Sequence, residues 1–293
     1  MQKDTRVKLP TPQKILTIEK PTQKEFKLFS ELVLNDLGLE WGDGKKYLLH
    51  ARVQRRLQIL NIQTFEEYYN FIDKDENNSE RQYLYNAVTT TKSGFYREKQ
   101  HFDYLREYIF PELKKIVSNQ GKNLRFWSAG CSTGEEAYTL AMETHDTLGN
   151  IVISGGRLRI LGSDINTDVL EAATNGKYNS ELVKLIPEKL RNRYFFVETQ
   201  RKDNFVQIKQ NIKDLIQFRH FNLLASKYPI ATKFQLIFCR NVLYYLDPKC
   251  RERVIRNLIE HLDEGGYLVL GITESGYNVK GVEKQAYSIY RKI

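Results

Sequence analysis

Two adjacent carboxylates, Glu135 and Glu136, follow a run of small residues that begins at Ser128. These residues have too little bulk to keep a ligand from the backbone, so Gly130 and its neighbours form a floor that an adenosyl group can approach closely. A phosphate ligand would favour lysine and bare amide groups here, whereas two negative charges suit a ligand with a positive centre. As an alternative, the glutamates only complement the positive end of a helix dipole.

The residues on either side of this loop predict how it is held. Phe126 and Trp127 are typical of the end of a strand, and an acidic helix start follows, with Ser132 or Thr133 able to cap it. Nucleotide-type cofactors bind where the first strand of an α/β protein leads into its helix. The pattern therefore predicts a helix that begins at the cofactor.

Two further predicted strands end in polar residues. Asp164 ends the second strand, where an acid in an adenosyl site accepts hydrogen bonds from ribose hydroxyls; alternatively it caps the next helix. Arg240 and Asn241 end a later, nearly all-apolar strand, at the edge where open parallel sheets bind ligands. A helix cap would explain Asn241, but not the arginine and the following Tyr244 and Tyr245 as well.

A hydroxyl-rich junction, TTTKSGFYRE at residues 89–98, precedes the first predicted strand. Gly94 allows a sharp bend, and such a segment can fold over a cofactor and close it from water. The alternative is that these residues are only a linker.

Composition limits the class of protein. With 293 residues and 41% hydrophobic content, the chain is long enough for one large and one small globular domain. No run approaches the roughly 20 apolar residues of a membrane span and no secretion signal is present, so we expect a soluble cytoplasmic protein without membrane insertion. The three cysteines lack metal-ligand spacing, so no metal site is expected. A net charge of +9 indicates an acidic partner.

Hydropathy patterns divide the chain. Residues 1–22 are polar and contain prolines, which predicts a flexible tail, and helical spacing of apolar residues predicts a small all-α domain over 23–88. A linker and leading helix follow at 89–124. From 125 to 293 strands and helices alternate, which predicts an α/β fold with a doubly wound, Rossmann-like parallel sheet. Three short β-prone runs, FFVET, NFVQIKQN and LIQFRHF, predict a small antiparallel insertion at about 185–218.

The chain contains four motif-bearing segments in this order: TTTKSGFYREKQHFDYL, FWSAGCSTGEEAYTLAM, LGSDINTDVLEAATNGKY and FQLIFCRNVLYYLDPKCRERVIRNLIEHLDEGGYLVLGITES. Together they resemble the CheR-type chemotaxis receptor methyltransferases, which use S-adenosylmethionine to methylate glutamate side chains of chemoreceptors. The resemblance extends from about residue 25 to the C-terminus. Its CRNV segment with a distal GxxES is specific.

The resemblance implies S-adenosylmethionine as cofactor and S-adenosylhomocysteine as product. Besides Gly130 of the small-residue loop, the implied cofactor contacts are Thr91, Ser93, Arg97, Glu136, Asp164, Asn222, Leu223, Arg240 and Asn241. Arg97 and Tyr245 fall nearest the methyl group as the implied catalytic residues, with simple packing as an alternative role for Tyr245. The family often has asparagine and threonine in place of Thr91 and Ser93, so we expect a somewhat altered geometry.

Methyl transfer to a carboxylate fits a chain without an obvious histidine or cysteine catalyst. A sulfonium is a good leaving group, and a glutamate with a reference pKa of about 4.3 is ionised at neutral pH, so no general base is required. The enzyme has to align the two groups and exclude water. We expect the guanidinium of Arg97 to orient one carboxylate oxygen and leave the other free.

A basic helix within KKYLLHARVQRRLQ is the predicted substrate-binding surface. Lys45, Arg52, Arg55 and Arg56 fall on one side of it, beside an apolar stripe. The resemblance implies that they guide glutamate-rich helices from the cytoplasmic domain of chemoreceptors into the site. Charge that serves only solubility is the alternative.

The predicted insertion bears on how a receptor is recognised. Some relatives carry a glycine-rich turn with arginines there, which grips a tethering peptide at the receptor's C-terminus. This chain has VETQRKDNFVQIKQ, without glycine, so we expect it to act without such a tether. We further expect a monomer.

Two other classes of function compete with this interpretation. A nucleic-acid methyltransferase would fit the positive charge, but the chain has neither a D/N-P-P-Y loop nor a cysteine in a Pro-Cys context. A non-catalytic signalling module would not need to retain Arg97, Asp164, Arg240 and Tyr245. We therefore expect an enzyme without a nucleic-acid partner.

Overall fold

The computed structural model describes residues 17–149, 157–197, 204–277 and 280–293. The chain folds into two compact units, which are described separately. One unit holds residues up to Glu31 together with Trp41–Val88, and the other holds Leu32–Glu40 together with Thr89–Ile293.

The first unit is helical, which confirms the predicted all-α domain. Amphipathic spacing places Phe29, Phe65 and Tyr68 in its core, where the ring of Phe29 stacks on Tyr68 and meets Phe65 edge-on. A capping box between Thr64 and Glu67 starts the third helix. The helices are α1 (Gln23–Leu37), α2 (Lys46–Leu60), α3 (Phe65–Asp73) and α4 (Ser79–Val88), and the last turns of α1 belong to the second unit.

The end of the predicted flexible tail is packed. Ile18 is buried, and its carbonyl oxygen lies 3.0 Å from Nε2 of His50. Pro21 is buried as well, and Thr22 bonds to Glu25 at the start of α1. The prediction is therefore wrong for residues 17–22, because two apolar side chains among polar neighbours suffice to hold the segment. Residues 1–16 lie outside the described residues.

Helices flank the sheet of the second unit. Within the described part of the chain they are α5 (Gln100–Tyr104), which continues through a π-helical turn (Leu105–Ile109) into α6 (Phe110–Gln120), then α7 (Glu135–Leu148), α8 (Thr167–Asn175), α9 (Glu188–Tyr194), α10 (Gln210–Lys213) and α11 (Pro248–Glu260). None of the described helices is both long and apolar enough to cross a membrane.

The strands of the described residues form two sheets. They are β1 (Leu124–Ala129), β2 (Leu158–Asp164), β3 (Lys177–Asn179), β4 (Phe195–Val197), β5 (Phe205–Ile208), β6 (Ile216–His220), β7 (Phe234–Cys239), β8 (Leu262–Leu270), β9 (Val282–Ala286) and β10 (Ile289–Lys292). The large sheet has the order β6-β2-β1-β7-β8-β10-β9. Its strands are parallel from β6 to β8, whereas β10 is antiparallel to both of its neighbours.

Alternate residues of β1 reach cores on opposite faces of the sheet. Phe126 belongs to the cluster that includes α6 and α7, and Trp127 belongs to the cluster that includes α11. Helices therefore cover both faces, which confirms the Rossmann-like α/β prediction. The carboxyl ends of β1, β2 and β7 meet at one edge because these strands are parallel.

The antiparallel insertion exists, but its strands differ from the prediction. The small sheet has the order β3-β5-β4, so FFVET and NFVQIKQN contribute strands and a short strand at Lys177–Asn179 joins them. The prediction is wrong for LIQFRHF, which forms β6 and pairs in parallel with β2 of the large sheet. An edge strand has a polar, exposed character that resembles an antiparallel hairpin in sequence. Residues 198–203 lie outside the described residues.

Candidate functional site

The loop from β1 to α7 forms the floor of the site. Gly130 has a φ of +76°, and a Cβ at this residue would lie 2.5 Å from Cγ2 of Val242, so only glycine fits. The predicted helix caps are wrong. Ser132 has a φ of +50° and donates its hydroxyl to the carbonyl of Thr91, and Gly134 occupies the N-cap position without a side-chain bond. An N-cap needs an extended backbone, which Ser132 does not have.

Glu136 faces the strand ends. Its carboxylate accepts hydrogen bonds from Oγ of Ser128 at 2.7 Å and from Nη1 of Arg240 at 3.2 Å. Burial raises the pKa of Glu136, and the positive charge of Arg240 opposes that rise. The half-buried carboxylate thus has two protein partners besides any helix-dipole role, and its contact with the cofactor stays a prediction.

Asp164 connects the end of β2 to the same loop. Its Oδ2 accepts a hydrogen bond from the backbone N–H of Ser132 at 2.8 Å, and its Oδ1 accepts one from Asn166 at 3.0 Å. The cap of α8 is Asn166, which accepts hydrogen bonds from Asp168 and Val169. Asp164 is thus not the helix cap. Each carboxylate oxygen has a second lone pair for a ligand hydroxyl, so ribose binding stays a prediction.

Arg240 joins three of the sequence motifs. Its side chain is only 2% exposed and contacts two carboxylates, Glu136 at 3.2 Å and Glu98 at 3.1 Å. The same guanidinium donates to the carbonyl of Arg97. The junction, the motif Gly134-Glu135-Glu136 (the GEE motif) and the end of β7 therefore meet at one buried cation.

The loop after β7 is fixed by a buried glutamate of the distal GxxES segment. Glu274 is completely buried and accepts hydrogen bonds from four backbone N–H groups, those of Gly271, Asn241, Leu243 and Tyr244. Asn241 has a φ of +59°, a conformation that asparagine tolerates better than most residues. Glu274 thereby shapes the turn that carries the tyrosine pair.

The two tyrosines stand together at this turn. The hydroxyl of Tyr244 lies 2.8 Å from that of Tyr245, and their ring centroids are 4.1 Å apart. Burial and the bond to Tyr245 raise the pKa of Tyr244 to about 12, so its hydroxyl is protonated at neutral pH. The catalytic role of Tyr245 stays a prediction, and the sequence gives no sign of Tyr244 as its partner.

The junction presents Arg97 to solvent. Its side chain is exposed, and Nη1 donates to the carbonyl of Lys92 at 3.0 Å. Thr91 is exposed, whereas Ser93 is half-buried. These residues follow α4 directly and lie in the unit that contains the sheet, so the segment is not an extended linker.

Asn222 and Leu223 follow β6, next to β2 in the sheet. The side chain of Asn222 donates to the carbonyl of Asp36 at 2.8 Å and accepts from the backbone N–H of Leu224 at 2.8 Å. Leu223 is half-buried. Their predicted adenine contact is untested, but both lie at the carboxyl edge that holds Asp164.

The basic residues of the first unit differ in what they contact. Arg56 binds the buried Glu80 with Nε at 2.9 Å, and Arg52 donates to the carbonyl of Ala87 at 2.8 Å. Lys45, in a 3-10 turn before α2, and Arg55 are both exposed. Substrate binding by these four residues stays a prediction, with Lys45 and Arg55 better exposed for it.

The set of side chains fits a cationic adenosyl cofactor. Two carboxylates, those of Glu136 and Asp164, lie at the carboxyl edge, and Glu136 has the buried Arg240 as its counter-charge. Among the described residues no cluster of histidine, cysteine or acidic side chains is able to hold a metal ion. Sequence reasoning missed Glu98, whose partners are distant in sequence, and gave no role to Glu274. It placed Ser128 in the small-residue floor but did not predict its bond to Glu136.

Two family models and several relatives match this chain. Residues 24–89 match the family described as CheR methyltransferase, all-alpha domain, and residues 91–290 match CheR methyltransferase, SAM binding domain. A chemotaxis protein methyltransferase from Borreliella burgdorferi is 34% identical over 86% of this chain and 88% of its own length. The chemotaxis protein methyltransferase of Escherichia coli is 34% identical over 85% of this chain and 83% of its own.

A solved glycopeptide N-methyltransferase, MtfA in complex with sinefungin, is 13% identical. The match covers 55% of this chain and 48% of the length of MtfA, with a TM-score of 0.30. This likeness is too weak to bear on fold or function.

Proposed function

We propose, since the chain belongs to the CheR methyltransferase family, that it transfers the methyl group of S-adenosylmethionine to glutamate carboxylates of chemoreceptors. The observation that carries the proposal is the buried guanidinium of Arg240, which unites the junction, the GEE motif and the CRN motif at the carboxyl edge of the sheet.

The proposed cofactor contacts follow the strand ends. Glu136 binds the ammonium of the methionine part, Asp164 the ribose hydroxyls, and Asn222 with Leu223 the adenine. When bound, S-adenosylmethionine supplies a methyl group on a positively charged sulfur, which is a good leaving group. Gly130 belongs to the floor of small residues that the cofactor approaches in this proposal, and a Cβ there would meet Val242.

The proposed acceptor chemistry needs no proton transfer. A glutamate carboxylate, with a reference pKa of about 4.3, is already ionised at neutral pH. Arg97 is exposed and adjacent to this edge, so it orients one acceptor oxygen and leaves the other free to attack the methyl group. Tyr244 and Tyr245 exclude water from the other side of the acceptor.

Substrate delivery is proposed for the exposed cations of the first unit. Lys45 and Arg55 attract the acidic helices of a receptor's cytoplasmic domain, at a chain net charge of +9. We also propose that the protein is a cytoplasmic monomer. We propose further that it acts without a tethering peptide, because residues 197–210 contain no glycine.

Transfer of radiolabelled methyl groups tests the proposal. Membranes that contain the host's chemoreceptors are incubated with labelled S-adenosylmethionine and the natural chain, Arg97→Ala, or the control Arg256→Ala, which removes an exposed arginine of α11. We expect label that is insensitive to ribonuclease and released by mild base, a fall of about a hundredfold for Arg97→Ala, and no change for the control. Base-stable label, or label lost with ribonuclease, would contradict carboxyl methylation of a receptor.

A further inference from the structure

Glu98 lies directly after Arg97 and connects it to two other segments. Its Oε2 accepts hydrogen bonds from Nη2 of Arg240 at 3.1 Å and from the backbone N–H of Ile272 at 3.2 Å. Its Oε1 accepts one from Nδ2 of Asn241 at 3.0 Å. One carboxylate therefore binds the turn after β7, the start of the segment after β8 and the junction.

The backbone around Arg97 is held in an unfavourable conformation. Tyr96 and Glu98 have φ values of +54° and +55°, a left-handed region that residues with these side chains seldom adopt. The hydroxyl of Tyr96 donates to Glu143 at 2.6 Å, so side-chain bonds fix both neighbours of Arg97. Such a conformation persists only where surrounding contacts determine it, and it is concentrated at functional sites.

The charges around Glu98 keep it ionised. Burial alone would raise the pKa of Glu98, but the bonds from Asn241 and Arg240 outweigh it and hold the pKa below its usual value. Burial and Arg240 lower the pKa of the neighbouring His101 to about 4, so that imidazole is neutral at pH 7. Arg240 is thus the cation that contacts Glu98, and it shares its charge between Glu98 and Glu136.

Arg240 also fixes the backbone of Arg97 itself, because the same Nη2 that binds Glu98 donates to the carbonyl of Arg97. If the carboxylate of Glu98 is removed, Glu136 is the one carboxylate still bound to Arg240. The side-chain amide of Asn241 then loses its acceptor. The junction is then free to leave its left-handed conformation, and the guanidinium of Arg97 loses its fixed direction.

We propose that Glu98 is a positioning residue for methyl transfer: through Arg240, Asn241 and Ile272 it fixes the direction in which Arg97 meets the acceptor. The inference rests on the proposed function, since Arg97 has this task only if the acceptor is a carboxylate. It assigns a role to a side chain that touches neither cofactor nor acceptor in the proposed mechanism.

The test compares Glu98→Gln with the matched control Glu112→Gln. Glutamine keeps the shape and the backbone requirement of residue 98 but removes its charge. Glu112 also binds an arginine and a hydroxyl, those of Arg291 and Tyr267, but it is no part of the candidate site. For Glu98→Gln we expect kcat to fall about tenfold to a hundredfold, while the KM for S-adenosylmethionine and the Kd for S-adenosylhomocysteine change less than about threefold.

A second measurement does not depend on activity. Trypsin cleaves after Arg97 and Lys99, both exposed, and well below the Tm we expect the junction of Glu98→Gln to be cut at least about fivefold faster than in the natural chain. The control should be cut at the natural rate.

The outcomes separate the two proposals. Normal kcat and normal cleavage in Glu98→Gln would overturn the positioning role, and so would losses of Tm, cofactor affinity and kcat in equal proportion, because these would indicate general damage. If the natural chain itself methylates no receptor, the proposed function fails. In that case unchanged cleavage in Glu98→Gln overturns the inference as well, and faster cleavage supports its anchoring step.

Discussion

Among the contacts of arginine with buried or half-buried glutamate in the described residues, two in different regions differ in charge balance. In the first unit one cation meets one anion: Arg56 binds Glu80, which is also bound by the hydroxyl of Tyr68 at 2.7 Å. At the carboxyl edge of the sheet one cation, Arg240, meets two anions, Glu98 and Glu136. The first group is neutral and complete, whereas the second has an excess of negative charge.

This difference distinguishes a structural contact from a binding site. A balanced pair joins helices α2, α3 and α4, and Glu80 is only 5% exposed, so little remains for a ligand to contact. An unbalanced group is tolerated in a partly buried place only if something positive completes it. In the proposed mechanism the ammonium of S-adenosylmethionine, bound by Glu136, supplies that charge.

Removing the central cation should have the largest effect. Arg240→Ala leaves Glu98 and Glu136 without their common partner, and we expect the free energy of unfolding in urea to fall by about 3–5 kcal/mol, with loss of methyl transfer. The matched control is Arg291→Ala, since Arg291 pairs with Glu112 at a more exposed position and should cost about 1 kcal/mol or less. Equal losses of unfolding free energy in the two variants would show that Arg240 contributes no more than an exposed ion pair.

A smaller effect is expected in the balanced region. Tyr68→Phe removes one hydrogen bond to the buried carboxylate of Glu80, and we expect the free energy of unfolding to fall by about 1.5–3 kcal/mol without a change in cofactor affinity. Tyr69→Phe is the control, because its ring packs on Phe29 but its hydroxyl makes no hydrogen bond within the described residues. A change in the Kd for S-adenosylhomocysteine in Tyr68→Phe would remove the distinction between the two regions.

The carboxyl edge was predictable because strand ends are visible in sequence. An apolar run that stops at Asp164 or at Arg240 marks the end of a strand, and parallel strands end at the same edge. The helical first unit was predictable for a similar reason, since its apolar residues recur at helical spacing.

The remaining features depend on contacts between distant residues. Glu98 and Arg240 are 142 residues apart, and nothing local to Glu98 indicates its partner. The same holds for Glu274, whose carboxylate binds the backbone of Asn241, 33 positions earlier in the chain. Strand β6 is predicted in the wrong sheet because an exposed edge strand and a short hairpin strand have the same pattern. Arg56 resembles a free surface charge in the sequence because its partner Glu80 lies two helices later.

The central claim is that the carboxylate of Glu136, which shares the cation of Arg240 with Glu98, holds the cofactor, and calorimetric binding of S-adenosylhomocysteine tests it most directly. Glu136→Gln should weaken binding about tenfold or more, the loss expected for one charge-assisted hydrogen bond, whereas Glu80→Gln in the balanced region should bind like the natural chain. Unchanged affinity in Glu136→Gln, or an equal loss in Glu80→Gln, would contradict the account.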